Sequence, residues 1–547
     1  MKTIPRGSRT LSGCCIVLLT VLIGCTGCGT VRPEMLTRNE YTPGESWRTA
    51  SPEELGVDSD VVRRFVERIE RKSIDLHGLV VIKDGHLVTD VSVDPYATSV
   101  PHDIASVTKS VMAVLVGIAM DRGYFTGPDQ LVSEIFRDHP VLSGAKAFSG
   151  VTIGHVLSMT SGIESIGKVT EETPFAETTL LEMLRSNDWE RFVANLEQID
   201  PPGTRFSYSS INYHILSMAI SEACGMNALA FAEEHLFRRI GIGPLVWPED
   251  PHGNNRGWGD LRMSLHDLAR FAYLIGNRGM WGDERIVSFP WLSQMLTAHG
   301  TSQWTPVFTL DYGYGWFLPK GVLLWNCFIA MGRGGQCVYV FPEENALVVT
   351  AGNYDITDLL FEVPRLTGGR RRSGELNDVE PAGEFSGEPV RVVLHRSERS
   401  ALSREATDAS LSPEDWRPLL GEWEADGNIF GISEFRILAE REGEERDGDV
   451  KFALTCPVFQ FDGVIAVDGR ERVSLREADG VHVRSSASKD GRDGITVVFD
   501  EIESINTFRL TFEFGDESLG EDSLALTLYE HILLPRSYRV TARRSAR

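Results

Sequence analysis

Residues 103–123 read DIASVTKSVMAVLVGIAMDRG, and from Val107 onward the run is apolar nearly all round until Gly123 stops it. A helix that is apolar on every side must be buried. The chain therefore needs layers of structure that enclose this segment, and its first turn projects from a domain core. Before it, GLVVIKDGHLVTDVSV places two apolar runs on either side of Asp84-Gly85, a strong hairpin signal. Strand-like runs return between Gly313 and Thr350 (YGYGWFL, LLWNCFIAM, CVYVFP, ALVVTAG), and Phe125 to Leu245 reads as mostly helical. Strands at both ends and helices between them predict an α+β domain: an antiparallel sheet built from both ends, flanked by helices, with an inserted helical domain.

The flanks read differently. Lys2, Arg6 and Arg9 precede a short apolar core, Ile16 to Ile23, which ends in LIGC at Cys25. That order resembles a bacterial lipoprotein signal, with Cys25 as the lipidated residue and the protein exported to the periplasmic face of a membrane or the cell surface. The expected divisions are 1–25 signal and lipobox, 26–50 polar tether, 51–366 the α+β domain, 367–410 linker and 411–547 a small all-β domain. Within the tether-to-core junction, Asp58 is placed to cap a helix with Val61, Val62, Phe65 and Ile69 at helical spacing. The linker is rich in Gly, Pro and charge, and the last segment has short alternating strands suited to a barrel or sandwich.

The chain has 547 residues and a formal net charge of -24, which argues against nucleic-acid binding because phosphate contact needs a basic face. Thirteen histidines are scattered without a metal-ligand spacing, so no metal and no cofactor are expected. Of eight cysteines, five lie beyond the lipobox; Cys327 and Cys337 could face each other across a hairpin, although connectivity is not readable from sequence.

Ser-x-x-Lys occurs four times, at Ser106/Lys109, Ser143/Lys146, Ser165/Lys168 and Ser486/Lys489. Only the first opens a long buried run. Residues three apart share a helix face, so the Lys109 amine can reach the Ser106 hydroxyl. A serine hydroxyl is a poor nucleophile until a neighbouring base takes its proton, and a lysine serves as that base only where its surroundings disfavour the ammonium. A solvated lysine beside a helix-capping serine is the bland alternative. Two further stretches bear on it. PPGTRFSYSSINYHIL carries Tyr208-Ser209-Ser210 after a Pro-Gly turn, and a phenol near a lysine can relay a proton. AMGRGGQCVYVF carries Arg333 among Gly332, Gly334 and Gly335, where backbone can approach another group and offer an N–H to an oxyanion.

In this order the three stretches resemble the motifs of the β-lactamase-related serine hydrolases: class C β-lactamases, penicillin-binding carboxypeptidases and esterases. The resemblance runs from about Tyr41 to Leu366 and is supported by VTIGHVLSMTSGI, WGDLRMSLHDLARFAYLIGNRG and YGYGW. It implies that Ser106 is the nucleophile, that Lys109 and Tyr208 move its proton, and that the backbone N–H groups of Ser106 and Gln336 form an oxyanion hole. Ser210, Arg333, Gly334 and Gly335 would contact substrate. Two positions depart from the usual pattern: Ser210 stands where Asn is common, and Arg333 where Lys or His is common. Arginine keeps the charge but shuttles no proton. Tyr-Ser-Ser with GRGGQ is nearer to the 6-aminohexanoate-dimer hydrolase branch than to true class C β-lactamases. The resemblance implies acyl-enzyme hydrolysis of an amide or ester carbonyl in a peptide or small molecule. The alternative is a penicillin-binding or cell-wall peptide sensor that does not turn over. An α/β-hydrolase would need a Gly-x-Ser-x-Gly elbow, which the chain lacks. The C-terminal segment resembles the lipocalin-like β module that follows some of these hydrolases.

Overall fold

The computed structural model describes residues 32–395, apart from 95, 166–177, 306–307, 321–325, 361 and 369–386, and beyond residue 420 the backbone of ten strands. Cys25 and the rest of the expected signal lie outside the described residues, as do most of the expected linker and the side chains of the C-terminal strands.

Helix α1 (Ser59–Lys72) begins where the Asp58 side chain accepts the Asp60 N–H at 2.9 Å, and it buries Val62, Phe65 and Ile69 as the spacing predicts. Strands β1 (Leu76–Lys83) and β2 (His86–Asp94) follow, joined at Asp84-Gly85 with φ of 48° and 74°. Positive φ at both turn residues is what a two-residue hairpin demands. Helix α2 (Thr108–Asp121) is buried from end to end up to Ala119. Helix α3 (Ser210–Cys224) is likewise buried over Ser210–Ile220, and α4 (Leu265–Gly276) packs on the sheet.

The remaining strands of the main sheet are β3 (Gly300–Thr305), β4 (Phe308–Tyr312), β5 (Phe317–Lys320), β6 (Phe328–Gly332), β7 (Gln336–Phe341), β8 (Ala346–Gly352) and β9 (Val390–His395). Their order across the sheet is β9-β2-β1-β8-β7-β6-β5-β4-β3. The two ends of the domain meet where β1 pairs with β8, Val80 opposite Val349. Every pairing is antiparallel except that of β9 with β2, which is parallel. The sheet is thus mixed, not purely antiparallel, because residues 390–395, expected inside a linker, return to the sheet edge.

Two other expectations change. The segment read as a tether packs against the body from Arg32 on: Leu36, Trp47 and Ala50 are buried, and Thr49 bridges to Leu87. Leu36 and Trp47 enter the core, and Met35 and Tyr41 pack partly buried against it. Cys327 and Cys337 do not oppose one another, since Cys337 pairs with Met331 in the β6–β7 register and both thiols are free. Beyond residue 420, ten strands form one sheet in which the first, Gly421–Ala425, pairs with the last, Tyr538–Arg544.

Candidate active site

Every residue from His102 to Ala119 is buried except Ser106, which is half-exposed. That single break places one hydroxyl at the surface of a helix otherwise sealed in the core. Ser106 does not lie in the α-helix proper. It sits in a 3-10 turn, Ala105–Val107, which runs into α2. Ala105 has φ of 46°, a left-handed conformation that costs an ordinary residue about 1–3 kcal/mol and that clusters at functional sites. The Asp103 carboxylate holds this turn by accepting the Ala105 N–H at 2.7 Å.

Lys109 is 1 % exposed. Its Nζ donates to Ser106 Oγ at 2.9 Å and to the Trp258 carbonyl at 3.0 Å. The same Nζ lies 5.0 Å from the centre of the Tyr208 ring. Serine, lysine and tyrosine, taken from two distant stretches of sequence, therefore converge. Tyr208 is half-buried just ahead of α3. Met159 brackets it, the Met159 carbonyl accepting the Ser207 N–H at 2.8 Å and Met159 Sδ facing the Ser209 N–H at 3.3 Å. Ser210 opens α3 and is buried.

The glycine stretch closes the site from the sheet. A Cβ on Gly332, at the end of β6, would stand 2.8 Å from the Ile104 carbonyl and 3.0 Å from the Ser106 nitrogen. Glycine is needed for that approach. Gly334 and Gly335 have φ of 79° and 83°, and the Gly335 carbonyl accepts from Tyr354 Oη at 3.0 Å and Thr350 Oγ1 at 2.8 Å. Gln336 starts β7 with its side chain turned inward, Nε2 donating to the Gly352 carbonyl at 2.6 Å. Its side chain is therefore committed to the sheet. Arg333 is half-exposed on the same turn.

Next to Ser106 in the chain lie two buried titratable groups, His102 and Asp103. Burial pushes the Asp103 carboxyl up, with the Asp260 carboxylate adding to the effect; the Ala105 N–H, Arg333 and Arg262 work the other way, and the result is about 7. His102 donates through Nδ1 to the Asp103 carbonyl at 2.8 Å and meets His77 at 2.8 Å through its other nitrogen. Burial, then the neighbouring His77, pull His102 down to about 3. Asp103, Met159 and the Trp258 carbonyl were not singled out by sequence reasoning. Trp258 and Met159 lay within quoted supporting stretches, but a backbone carbonyl acceptor leaves no trace in residue type.

The β-lactamase family profile matches residues 62–358, more than half of the chain. This chain belongs to the β-lactamase family. The match gives it that family's fold. No curated protein matches. Among solved structures, a protein described as a 6-aminohexanoate-dimer hydrolase from Bacillus anthracis is similar at 16 % identity and a TM-score of 0.46, over 61 % of this chain and 88 % of its own. A penicillin-binding protein from Bacillus halodurans is similar at 17 % identity and a TM-score of 0.44, over 55 % and 99 %. An octameric penicillin-binding protein homologue from Pyrococcus abyssi is similar at 16 % identity and 0.41, over 88 % and 99 %. Likenesses at this level describe shape only loosely, and the family match is what places the chain.

Proposed function

We propose that this protein is a serine hydrolase that cleaves an amide or ester carbonyl through an acyl-enzyme. The observation that carries the reading is the buried Lys109 amine 2.9 Å from the hydroxyl of the half-exposed Ser106 in the turn before its helix. Ser106 Oγ attacks the carbonyl carbon while its proton passes to Lys109 Nζ. The carbonyl oxygen takes the negative charge and is met by the backbone N–H groups of Ser106 and Gln336. Collapse of the tetrahedral species expels an amine or alcohol, which receives the proton by way of Tyr208. Water then attacks the acyl group, gives its proton back through the same pair, and releases the acid with Ser106 restored.

Arg333 is the candidate for holding a substrate carboxylate, with the Gly334–Gly335 backbone next to it in the turn and Ser210 as a further candidate substrate contact. A cation that cannot titrate binds such a group across the working pH range. We also assign Cys25 as a lipid attachment point that keeps the exported protein at a membrane surface, which a loss of fatty-acid labelling in Cys25→Ala would support.

Intact-mass measurement after a fluorophosphonate probe tests the assignment. The wild-type chain is expected to gain one adduct, mapped to Ser106, and Ser106→Ala to gain none. An adduct that persists in Ser106→Ala overturns it. Turnover of p-nitrophenyl acetate then separates a hydrolase from a sensor, since a sensor would give a stoichiometric burst and stop.

A further inference from the structure

The catalytic steps leave a buried histidine–aspartate contact unused. His214, in the first half of α3, and Asp250, in the segment leading to Trp258, have no side-chain exposure at all. His214 Nε2 donates to Asp250 Oδ2 at 3.0 Å. Three more donors meet the same carboxylate: the His252 N–H at 2.7 Å, the Asn254 N–H at 2.9 Å and Asn254 Nδ2 at 3.0 Å. Burial opposes ionisation here, but the His214 and Asn254 contacts outweigh it and hold the carboxyl down at about 2. A carboxylate saturated by fixed donors is a rigid anchor.

The anchored segment runs directly to the lysine. Ser217 Oγ, one turn along α3 from His214, donates to the Asn255 carbonyl at 2.7 Å. Gly257 presses on the same helix so closely that a Cβ would stand 2.0 Å from the Tyr213 carbonyl. The His214 ring then meets the Trp258 indole edge-on, centroids 5.2 Å apart, with Trp189 on it at 5.3 Å. Three consecutive features of one helix face, at 213, 214 and 217, thus fix residues 250–258. The carbonyl at the end of that segment is the second acceptor of Lys109 Nζ.

We propose that His214 and Asp250 are positioning residues for the base: they pin the 250–258 segment to α3 so that the Trp258 carbonyl takes one N–H of Lys109. This rests on the reading of Lys109 as base for Ser106. With one N–H of Lys109 held on the Trp258 carbonyl, the direction from which Nζ faces Ser106 Oγ is fixed. Helix α3 also begins two residues after Tyr208, so the clamp joins the carbonyl and the phenol to one rigid element. Such second-layer contacts keep a catalytic group within the fraction of an ångström that its rate requires. A phenylalanine at 214 would fill the space between the two indoles but offer Asp250 no donor.

The test compares His214→Phe with His214→Gln, which keeps an N–H donor, by crystal structure, melting temperature, fluorophosphonate acylation rate and p-nitrophenyl acetate kinetics. In His214→Phe the Lys109 Nζ–Trp258 O separation is expected to leave hydrogen-bonding range. The acylation rate should fall at least about tenfold, with KM within about twofold. The pH profile of acylation should change shape, and His214→Gln should restore both contact and rate. A His214→Phe structure with the Lys109–Trp258 contact intact overturns the proposal. So does an equal loss of rate and melting temperature in both variants. If His214→Phe is insoluble, Asp250→Asn decides by the same distance. A wild-type chain that is not labelled at Ser106 would instead overturn the nucleophile assignment, and the Lys109–Trp258 distance in the variants would still decide this one.

Discussion

Lys109 fills a place that a chemically inert side chain could also occupy, which makes the amine separable from its volume. Lys109→Met keeps an unbranched chain of similar length between Ser106 and Trp258. General acid–base catalysis of this kind is worth about 10²- to 10⁴-fold, so fluorophosphonate acylation and ester turnover should fall by that factor. Thermal stability should hold or rise, because a desolvated amine is replaced by an apolar group; a melting temperature that drops with the activity would mean the loss is one of folding. Asp103 supports a second residue-level prediction. Its carboxyl goes from an ordinary 3.8 to about 7 in the fold. The folded chain therefore holds a proton that the unfolded chain has released, and this contribution to stability falls as pH rises from about 4 to 7 and is flat above. Asp103→Asn retains an acceptor for the Ala105 N–H but has no such proton. Its urea midpoint should lose that downward slope relative to wild type, and an unchanged slope would refute the raised carboxyl. At this scale Ser106 and Lys109 were legible because side chains three apart and an apolar context are both written in residue types. Ala105 at positive φ was not, since nothing in alanine announces a left-handed turn that its surroundings impose.

Among the elements, the junction between residue 159 and α3 sets where Tyr208 stands. Met159 has φ of 60°, an unusual conformation for a long side chain, and it engages the backbone on both sides of the tyrosine. Met159→Leu preserves size and removes the sulfur acceptor. Losing one bond of about 1 kcal/mol should slow acylation about fivefold with little change in melting temperature. A crystal structure in which Tyr208 is displaced would locate the cause. Gly335 governs the other junction. A Cβ there would have positive φ and lie 2.3 Å from the Tyr354 ring. Gly335→Ala should cost about 2–5 kcal/mol from strain and overpacking together, read as a lower urea midpoint at constant m. Hairpin and helix assignments came through from sequence at Asp84-Gly85 and Asp58 because turn and cap chemistry are local. The Cys327/Cys337 pairing did not, because register depends on how the flanking strands slide, and Cys337 falls opposite Met331 instead. The glycines of the third motif were visible as permissive backbone, but which carbonyl or ring each would meet was not.

For the molecule as a whole, the open question is what the sheet edge requires. The strand order β9-β2-β1-β8 puts the parallel strand β9 outside β2, so a segment more than thirty residues beyond β8 covers the Thr89–Asp94 part of an edge whose start, at Leu87, is met by Thr49. VRVVLH is short and mostly apolar, yet it sits among charge, Gly and Pro, and parallel pairing across a long connection has no local turn to signal it. That is why the sheet was legible as antiparallel from its hairpins while its last strand was not. Register in the pairing runs from Val390 opposite Thr89 to His395 opposite Asp94. An uncovered strand offers unpaired N–H and C=O groups to another chain. A chain ending at residue 395 is therefore expected to stay monodisperse in light scattering. One ending at residue 368 should self-associate through β2 and melt earlier, with the Ser106–Lys109 geometry and any fluorophosphonate labelling retained in whatever fraction is monomeric. Insertion of proline at Val392 in the longer chain should reproduce the behaviour of the shorter one, because proline removes a donor from the ladder without removing the segment. If both truncations behave alike, β9 contributes nothing to the edge, and residues 390–395 serve only as part of the connection to the C-terminal strands.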